Sequence, residues 1–177
     1  MVEKYTEDFM KWTDRDRTKK GDYGEFLVDN FLESKGFYTY APTGKKAHPF
    51  DRFAYNQSKN IYFALDVKTK AKRKKYSDTG IDIRFLDIYK KFSESTNQKF
   101  YIFFVDEELK KIYGNSLDLL EQKYFDSKNN ITYPYHGKGD IVYFPLKNCT
   151  IYQELTDSDC SILRNHTQKQ ACYLPNT

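Results

Sequence analysis

Apolar residues recur along the chain with two different periods, and these periods predict its helices and strands. From about residue 20 to residue 35, large apolar side chains recur every four positions, as on one face of an α-helix, and Gly36 follows as a stop signal. The residues of that stripe are Tyr23, Leu27 and Phe31. Residues 83–95 follow the same helical period. Each of the two segments therefore predicts a helix.

Shorter apolar runs between and after these helices are typical of β-strands. The segments at 37–41, 49–56 and 61–70 are rich in aromatic and aliphatic residues, and the polar stretch PTGKK at 42–46 predicts a turn after the first of them. The run KFYIFFVDEE at 99–108 is the most apolar in the chain. It predicts a central strand that is covered on both faces.

The last third of the chain mixes both kinds of element. A short strand is predicted at 111–114, a helix at 116–125 with Ser116 as its N-cap, a strand at 140–146 and a short capped helix at 156–166. The whole order is a helix, three strands, a helix, a strand and then mixed elements. This order predicts an α/β fold in which a central mixed sheet is flanked by helices.

The size of the chain favours one domain over residues 1–177, because domains commonly hold roughly 100 to 200 residues. No run approaches the roughly 20 apolar residues of a membrane-spanning helix, and the start of the chain does not have the pattern of a secretory signal. We therefore predict a cytoplasmic protein without a membrane partner.

The cysteines of the chain favour a structural role. They are odd in number and form no CxxC pair, so neither a disulfide framework nor a common zinc site is predicted. A loose zinc site remains a minor alternative, with ligands from the set Cys149, Cys160, His166 and Cys172.

Positive charge is concentrated in one segment. The chain as a whole carries +4, but residues 45–75 contain ten Lys or Arg against two acids, so this segment carries +8 and the remainder −4. A concentrated basic surface is what a polyanion partner requires, because each neutralised phosphate releases counterions. The alternative is a basic loop that serves only solubility.

The third predicted strand ends in an acid and a base. Side chains alternate across a strand, so Asp66 and Lys68 share one face while Leu65 lies on the other. Asp51 lies among large apolar residues of the preceding strand, where a carboxylate is costly unless it is paired or bound to a cation. Glu25 lies on the flank of the first helix.

Three carboxylates that converge would form an oxygen-rich site of the kind that Mg²⁺ or Mn²⁺ prefers. With Lys68 beside them, such a site has the groups needed to hydrolyse a phosphodiester. The alternative for Asp66 and Lys68 is a simple salt bridge, which would contribute under about 1 kcal/mol.

These motifs, in this order, resemble the PD-(D/E)XK nuclease superfamily. Gly24-Glu25 on a helix, Pro49-Phe50-Asp51 on a strand and Asp66-Val67-Lys68 on the next strand match the family pattern of an acid on the first helix, an acid on the second core strand and a (D/E)xK on the third. Phe50 departs from the direct Pro-Asp pair of the family name. The resemblance covers about residues 20–105.

The resemblance implies a restriction endonuclease-like core over about 20–114, with 115–177 as a C-terminal extension packed on it. It implies a Mg²⁺- or Mn²⁺-dependent deoxyribonuclease, with an endonuclease favoured and a homodimer as one arrangement that would cut both strands of DNA. The implied catalytic residues are Glu25, Asp51, Asp66 and Lys68. The implied metal site comprises Glu25, Asp51, Asp66 and Val67.

The basic residues that follow the DxK motif predict a contact with the nucleic-acid backbone. They are Lys70, Lys72, Arg73, Lys74 and Lys75. Two alternatives stay open. The same fold would also serve as a non-catalytic nucleic-acid-binding or protein-interaction subunit, and a groove that reads only the backbone does not distinguish DNA from RNA.

Overall fold

The computed structural model describes residues 16–43 and 48–171. Its helices are α1 (Asp16–Ser34), α2 (Ile83–Thr96), α3 (Leu117–Leu120) and α4 (Asp157–Ala171). Its strands are β1 (Tyr38–Tyr40), β2 (Arg52–Asn56), β3 (Ile61–Thr69), β4 (Asp78–Asp82), β5 (Phe100–Asp106), β6 (Lys111–Ser116), β7 (Tyr124–Asp126), β8 (Ile131–Tyr133), β9 (Tyr135–His136), β10 (Ile141–Pro145) and β11 (Thr150–Glu154). Part of the predicted turn at 42–46 and the residue Cys172 lie outside the described residues.

A six-stranded mixed sheet organises the molecule, with the order β1-β2-β3-β5-β6-β11. Strands β3 and β5 pair in parallel, and their neighbours in this sheet pair antiparallel. β3 and β5 occupy the middle because both of their faces are apolar, as Leu65 and Ile102 illustrate with no exposed surface. The predicted mixed sheet and the predicted central strand are confirmed.

Each face of the sheet has its own apolar core. On one face Leu65 and Val67 pack with residues of α1 and α4, such as Leu27 and Leu163. On the other face Ala64 packs in a core that includes residues of α2, β5 and β10. The sequence predicted this alternation along β3, and it places Asp66 and Lys68 on the α2 side of the sheet.

Two smaller sheets extend this architecture on the side of α2. One has the order β4-β10-β9, and the other is the hairpin of β7 and β8. The hairpin corrects the predicted helix at 116–125, because α3 ends at Leu120 and Tyr124 begins a strand that pairs with β8. Ser116 occupies the N-cap position of α3, but its side chain makes no capping hydrogen bond.

The C-terminal elements complete the first core. β11 adds an edge strand next to β6, and α4 packs against α1. A reciprocal capping box begins α4: the Asp159 N–H donates to Thr156 Oγ1 and the Thr156 N–H donates to Asp159 Oδ2, each at 3.1 Å. No helix within the described ranges is both long and apolar enough to span a bilayer.

Candidate active site

Asp66 and Lys68 form an ion pair on β3. Lys68 Nζ lies 2.7 Å from Asp66 Oδ2, and the Asp66 residue is only 5% exposed. A salt bridge at the protein surface contributes little to stability. A buried carboxylate, by contrast, is costly to desolvate even when it has a partner. The salt bridge that the sequence left open as the alternative is therefore present, and one of its partners is a buried carboxylate.

Two backbone contacts hold Asp51 next to this pair. The Asp51 N–H donates to the Leu65 carbonyl at 3.0 Å, and the Val67 N–H donates to Asp51 Oδ2 at 2.8 Å. These two partners flank Asp66 in the sequence of β3. The carboxylate of Asp51 is thus fixed at the same end of the sheet as that of Asp66.

Glu25 reaches this end of the sheet from α1 through an arginine. Arg52 Nη1 lies 2.9 Å from Glu25 Oε2, and Arg52 Nε lies 3.0 Å from Asp29 Oδ2. Since Arg52 begins β2, it connects these two acids of α1 to the start of that strand. Asp51 itself lies just before β2, which corrects the strand predicted at 49–56. The sequence interpretation placed Glu25 in the site but missed the arginine that holds it.

A glycine allows α1 to approach β3 closely at this point. A Cβ atom added to Gly24 would lie 1.8 Å from Thr69 Oγ1 and 3.0 Å from Thr69 Cβ. The β-branched threonine is stiff and is held in a strand, so it has little room to move away. The Gly24-Glu25 pair therefore has a structural reason, because the glycine brings the glutamate to the strand ends.

We expect Gly24→Ala to lower the free energy of unfolding by about 1–2 kcal/mol, because the added methyl group overpacks the contact with Thr69. Gly21→Ala is the matched control, because nothing lies within 4 Å of a Cβ at Gly21 in the same helix. That control should gain about 0.5–1 kcal/mol from helix propensity. Urea denaturation of both variants measures the difference, and equal stabilities would contradict the close contact.

The carboxylates perturb one another. Burial raises the pKa of Glu25 to about 7, with the negative charge of Asp51 adding to the rise and Arg52 opposing it. Burial likewise raises the pKa of Asp66 to about 6, where Lys68 opposes the shift and Asp51 adds to it. The site thus holds acids whose charges are incompletely compensated by the basic side chains around them.

Two aromatic rings of α2 surround the amine of Lys68. Its Nζ lies 4.5 Å from the ring centroid of Phe85 and 5.9 Å from that of Tyr89, a range in which a cation is attracted to a ring face. Burial and the charge of Asp66 raise the pKa of the Tyr89 hydroxyl. The sequence interpretation missed Phe85, although its spacing of four residues from Tyr89 places both rings on one face of α2.

Within the basic segment, defined here as residues 70–75, two of the predicted nucleic-acid contacts have internal partners. Lys70 Nζ donates to the Gly80 carbonyl at 2.5 Å, and burial lowers the pKa of this lysine. The Arg73 guanidinium forms an ion pair with the fully buried Asp78. These two side chains fix the path of the segment.

Exposure to solvent increases toward the end of the basic segment. The guanidinium of Arg73 is stacked between aromatic rings, 4.2 Å from the centroid of Tyr76 and 3.8 Å from that of Tyr143. The Lys72 side chain donates to the backbone of Arg73, while Lys74 and Lys75 are exposed. Lys74 and Lys75 are thus the most accessible of the predicted backbone-binding residues.

The donors of the site have the chemistry that a divalent cation requires. Across residues 16–43 and 48–171, no group of three or more His, Cys, Asp and Glu side chains is arranged to hold a metal ion. Arg52 accounts for this in part, because it holds the carboxylate of Glu25. Asp51, just before β2, and Asp66, in β3, nevertheless offer oxygen donors, and a cation would offset the repulsion between them.

Comparisons with known proteins agree with this fold. No family model matches the sequence. No curated protein matches it either. Among solved structures, the chain is similar to the Holliday junction resolvase Hjc of Archaeoglobus fulgidus, with 14% identity, a TM-score of 0.50, and coverage of 72% of this chain and 90% of that one. The bacterial homing endonuclease I-Ssp6803I is also similar, with 14% identity, a TM-score of 0.41, and coverage of 86% and 95%.

The fold is therefore restriction endonuclease-like, a central mixed sheet flanked by helices. The restriction endonuclease-like fold that the resemblance implied is confirmed.

Proposed function

We propose that this protein is a Mg²⁺-dependent deoxyribonuclease that hydrolyses phosphodiester bonds within DNA. The observation that carries the proposal is the buried pair of Asp66 and Lys68, held directly beside Asp51 at one end of the sheet. Burying the Asp66 carboxylate next to a second acid costs free energy, and a catalytic role explains why the chain retains it. The fold is similar to that of a Holliday junction resolvase with 14% sequence identity to this chain, which supports the same proposal.

The acids of the site would hold the metal. Asp51 and Asp66 would supply carboxylate oxygens, and Val67 would supply its backbone carbonyl oxygen from between Asp66 and Lys68. When bound, Mg²⁺ or Mn²⁺ would polarise a phosphate oxygen as a Lewis acid and would lower the pKa of a bound water. Glu25 would join these ligands only after its contact with Arg52 is exchanged, since that arginine now lies 2.9 Å from its carboxylate.

Lys68 would act on the attacking water and on the negative charge of the phosphate. Its ammonium lies at the mouth of the site, about one quarter exposed, while the carboxylate with which it pairs is buried. From there it would orient the attacking water and offset the negative charge that develops on the phosphate. Phe85 would keep the amine on this side by covering it at 4.5 Å.

The positive charge of the basic segment supports a polyanion, here DNA, as the partner. The basic segment follows β3, the strand that carries Lys68, and its last two lysines are exposed. The similar structure with a TM-score of 0.50 is that of a Holliday junction resolvase, which favours DNA over RNA as the substrate. A homodimer would supply two such sites for cutting both strands.

Incubation with four kinds of DNA tests the proposal. Supercoiled plasmid, linear duplex, single-stranded DNA and a four-way junction should be incubated with Mg²⁺, with Mn²⁺ and with EDTA. We expect cleavage of at least one substrate with either metal and none with EDTA. Binding of all four without cleavage under either metal would contradict the proposal and support a non-catalytic binding subunit.

A further inference from the structure

A cleft outside the candidate active site lies between the end of the basic segment and the β7–β8 hairpin. It has a volume of about 400 Å³. Three lysines line it, and the other lining residues are mainly polar or aromatic. The lining residues include Lys75, Ser77, Tyr124, Asp126, Lys128 and Lys147.

The net charge of this cleft is positive. Its three lysines face one carboxylate, that of Asp126. Both oxygens of Asp126 are engaged within its own turn: Oδ1 accepts the Lys128 N–H at 3.0 Å, and Oδ2 accepts the Asn129 side-chain amide at 2.7 Å. These local contacts partly satisfy the carboxylate, so the lysine ammonium groups remain the dominant charges.

The aromatic wall of the cleft fixes one of these ammonium groups. Lys147 Nζ lies 4.5 Å from the ring centroid of Tyr124. Tyr124 is itself stacked on Tyr133, with 6.3 Å between ring centroids. A lysine held on a ring loses less freedom when it binds an anion than an unrestrained surface lysine does.

The cleft is built rigidly onto the basic segment. The Tyr133 hydroxyl donates to Asp78 Oδ2 at 2.7 Å, and Asp78 is also the partner of Arg73. Tyr133 and Asp78 are both buried. One buried carboxylate thus connects the hairpin to the basic segment, so the two walls of the cleft keep their relative position.

The cleft also lies near the proposed catalytic residues along the chain. Lys75 follows Lys68 by seven residues. A chain of that length spans at most about 25 Å, which corresponds to about seven base pairs of duplex. A duplex cut at the active site therefore has phosphates within reach of the cleft.

We propose that this cleft binds the phosphate backbone of the nucleic-acid substrate on one flank of the scission site. This proposal rests on the proposed function for the identity of the polyanion. Lysine ammonium groups and the hydroxyl of Ser77 are donors that contact phosphate oxygens without reading sequence. The cleft adds to affinity and fixes the register of the duplex, while the scissile bond is selected elsewhere.

A charge-matched pair of triple variants tests the cleft. Lys75→Gln, Lys128→Gln and Lys147→Gln are combined in one protein. The control combines Lys19→Gln, Lys59→Gln and Lys91→Gln, which are exposed lysines outside the cleft. Both triples carry Lys68→Met, so that DNA stays intact, and are compared with the Lys68→Met protein alone. Binding of a fluorescent 30-base-pair duplex is measured by anisotropy between 50 and 200 mM salt.

We expect the cleft triple to bind at least about tenfold more weakly than Lys68→Met alone, and its plot of log K against log salt to be shallower by about 2 to 3. The control triple should change affinity by less than about threefold, because it loses the same net charge at other places. Equal losses in the two triples, or binding of a polyglutamate peptide in preference to the duplex, would overturn the proposal.

Cleavage by the protein with its native Lys68 separates this outcome from that of the proposed function. If that protein cuts DNA but the cleft triple binds like its parent, the cleft proposal fails and the nuclease proposal stands. If it cuts no DNA but the cleft triple still binds more weakly, the cleft stands as a backbone-binding site and the nuclease proposal fails.

Discussion

An Asp66→Asn variant is expected to cleave plasmid DNA at least about a thousandfold more slowly than the native protein under Mg²⁺. Asparagine keeps the shape of the side chain but removes the charge that would bind the metal and pair with Lys68. The free energy of unfolding should change by less than about 1 kcal/mol, because the lost attraction to Lys68 is offset by relief of the repulsion from Asp51. Nicking rates and urea denaturation measure both effects.

Lys68→Met distinguishes catalysis from a merely structural ion pair. It should abolish cleavage and also destabilise the fold by about 1–3 kcal/mol, because Asp66 then stays buried without its cation. Combining Lys68→Met with Asp66→Asn should restore most of the stability but none of the cleavage. Lys59→Met, at an exposed lysine in the turn that precedes the same strand, is the control. Cleavage by the double variant at more than a tenth of the native rate would contradict the proposed mechanism.

The sequence predicted the part of the site that depends on local pattern. Alternation along β3 assigns Asp66 and Lys68 to one face without any knowledge of their neighbours, and the structure confirms that face. The four-residue apolar repeat likewise predicts α1 because the period follows from helix geometry alone. The fold resemblance then followed from the order of these motifs along the chain.

The sequence did not predict what depends on contacts between distant segments. The ion pair of Arg73 with Asp78 turns a predicted DNA contact inward, and the cation–π contact of Lys68 depends on where α2 packs against the sheet. The segment 116–125 looked helical because Tyr124 and Phe125 continue an apolar pattern. Pairing with β8 decided its structure instead, and a pattern within one window does not contain its partner.

Arg52 shows how such a distant contact bears on mechanism. Its guanidinium forms ion pairs with both Glu25 and Asp29 of α1. In the sequence it directly follows Asp51, the proposed metal ligand. The arginine compensates two acids of α1 and thereby keeps them near the site at neutral pH. We infer that metal binding depends first on Asp51 and Asp66 and only secondarily on Glu25.

An Asp51→Asn variant is expected to bind Mn²⁺ at least about a hundredfold more weakly in isothermal titration, because a neutral amide is a poorer ligand for a hard cation than a carboxylate. The amide oxygen can still accept the hydrogen bond from the Val67 N–H, which Asp51 Oδ2 now accepts at 2.8 Å. The strand contact should therefore persist, and the thermal unfolding midpoint without metal should change by only a few degrees.

Asp87→Asn provides the matched control, since it removes one acid from the exposed surface of α2 and should leave the titration unchanged. Glu25→Gln should fall between the two, with a smaller loss of metal affinity, because Arg52 already holds that carboxylate. If Asp51→Asn gave the same heats of Mn²⁺ binding as Asp87→Asn and the native protein, Asp51 and Asp66 would not form a metal site. Cleavage, if present, would then require a different origin.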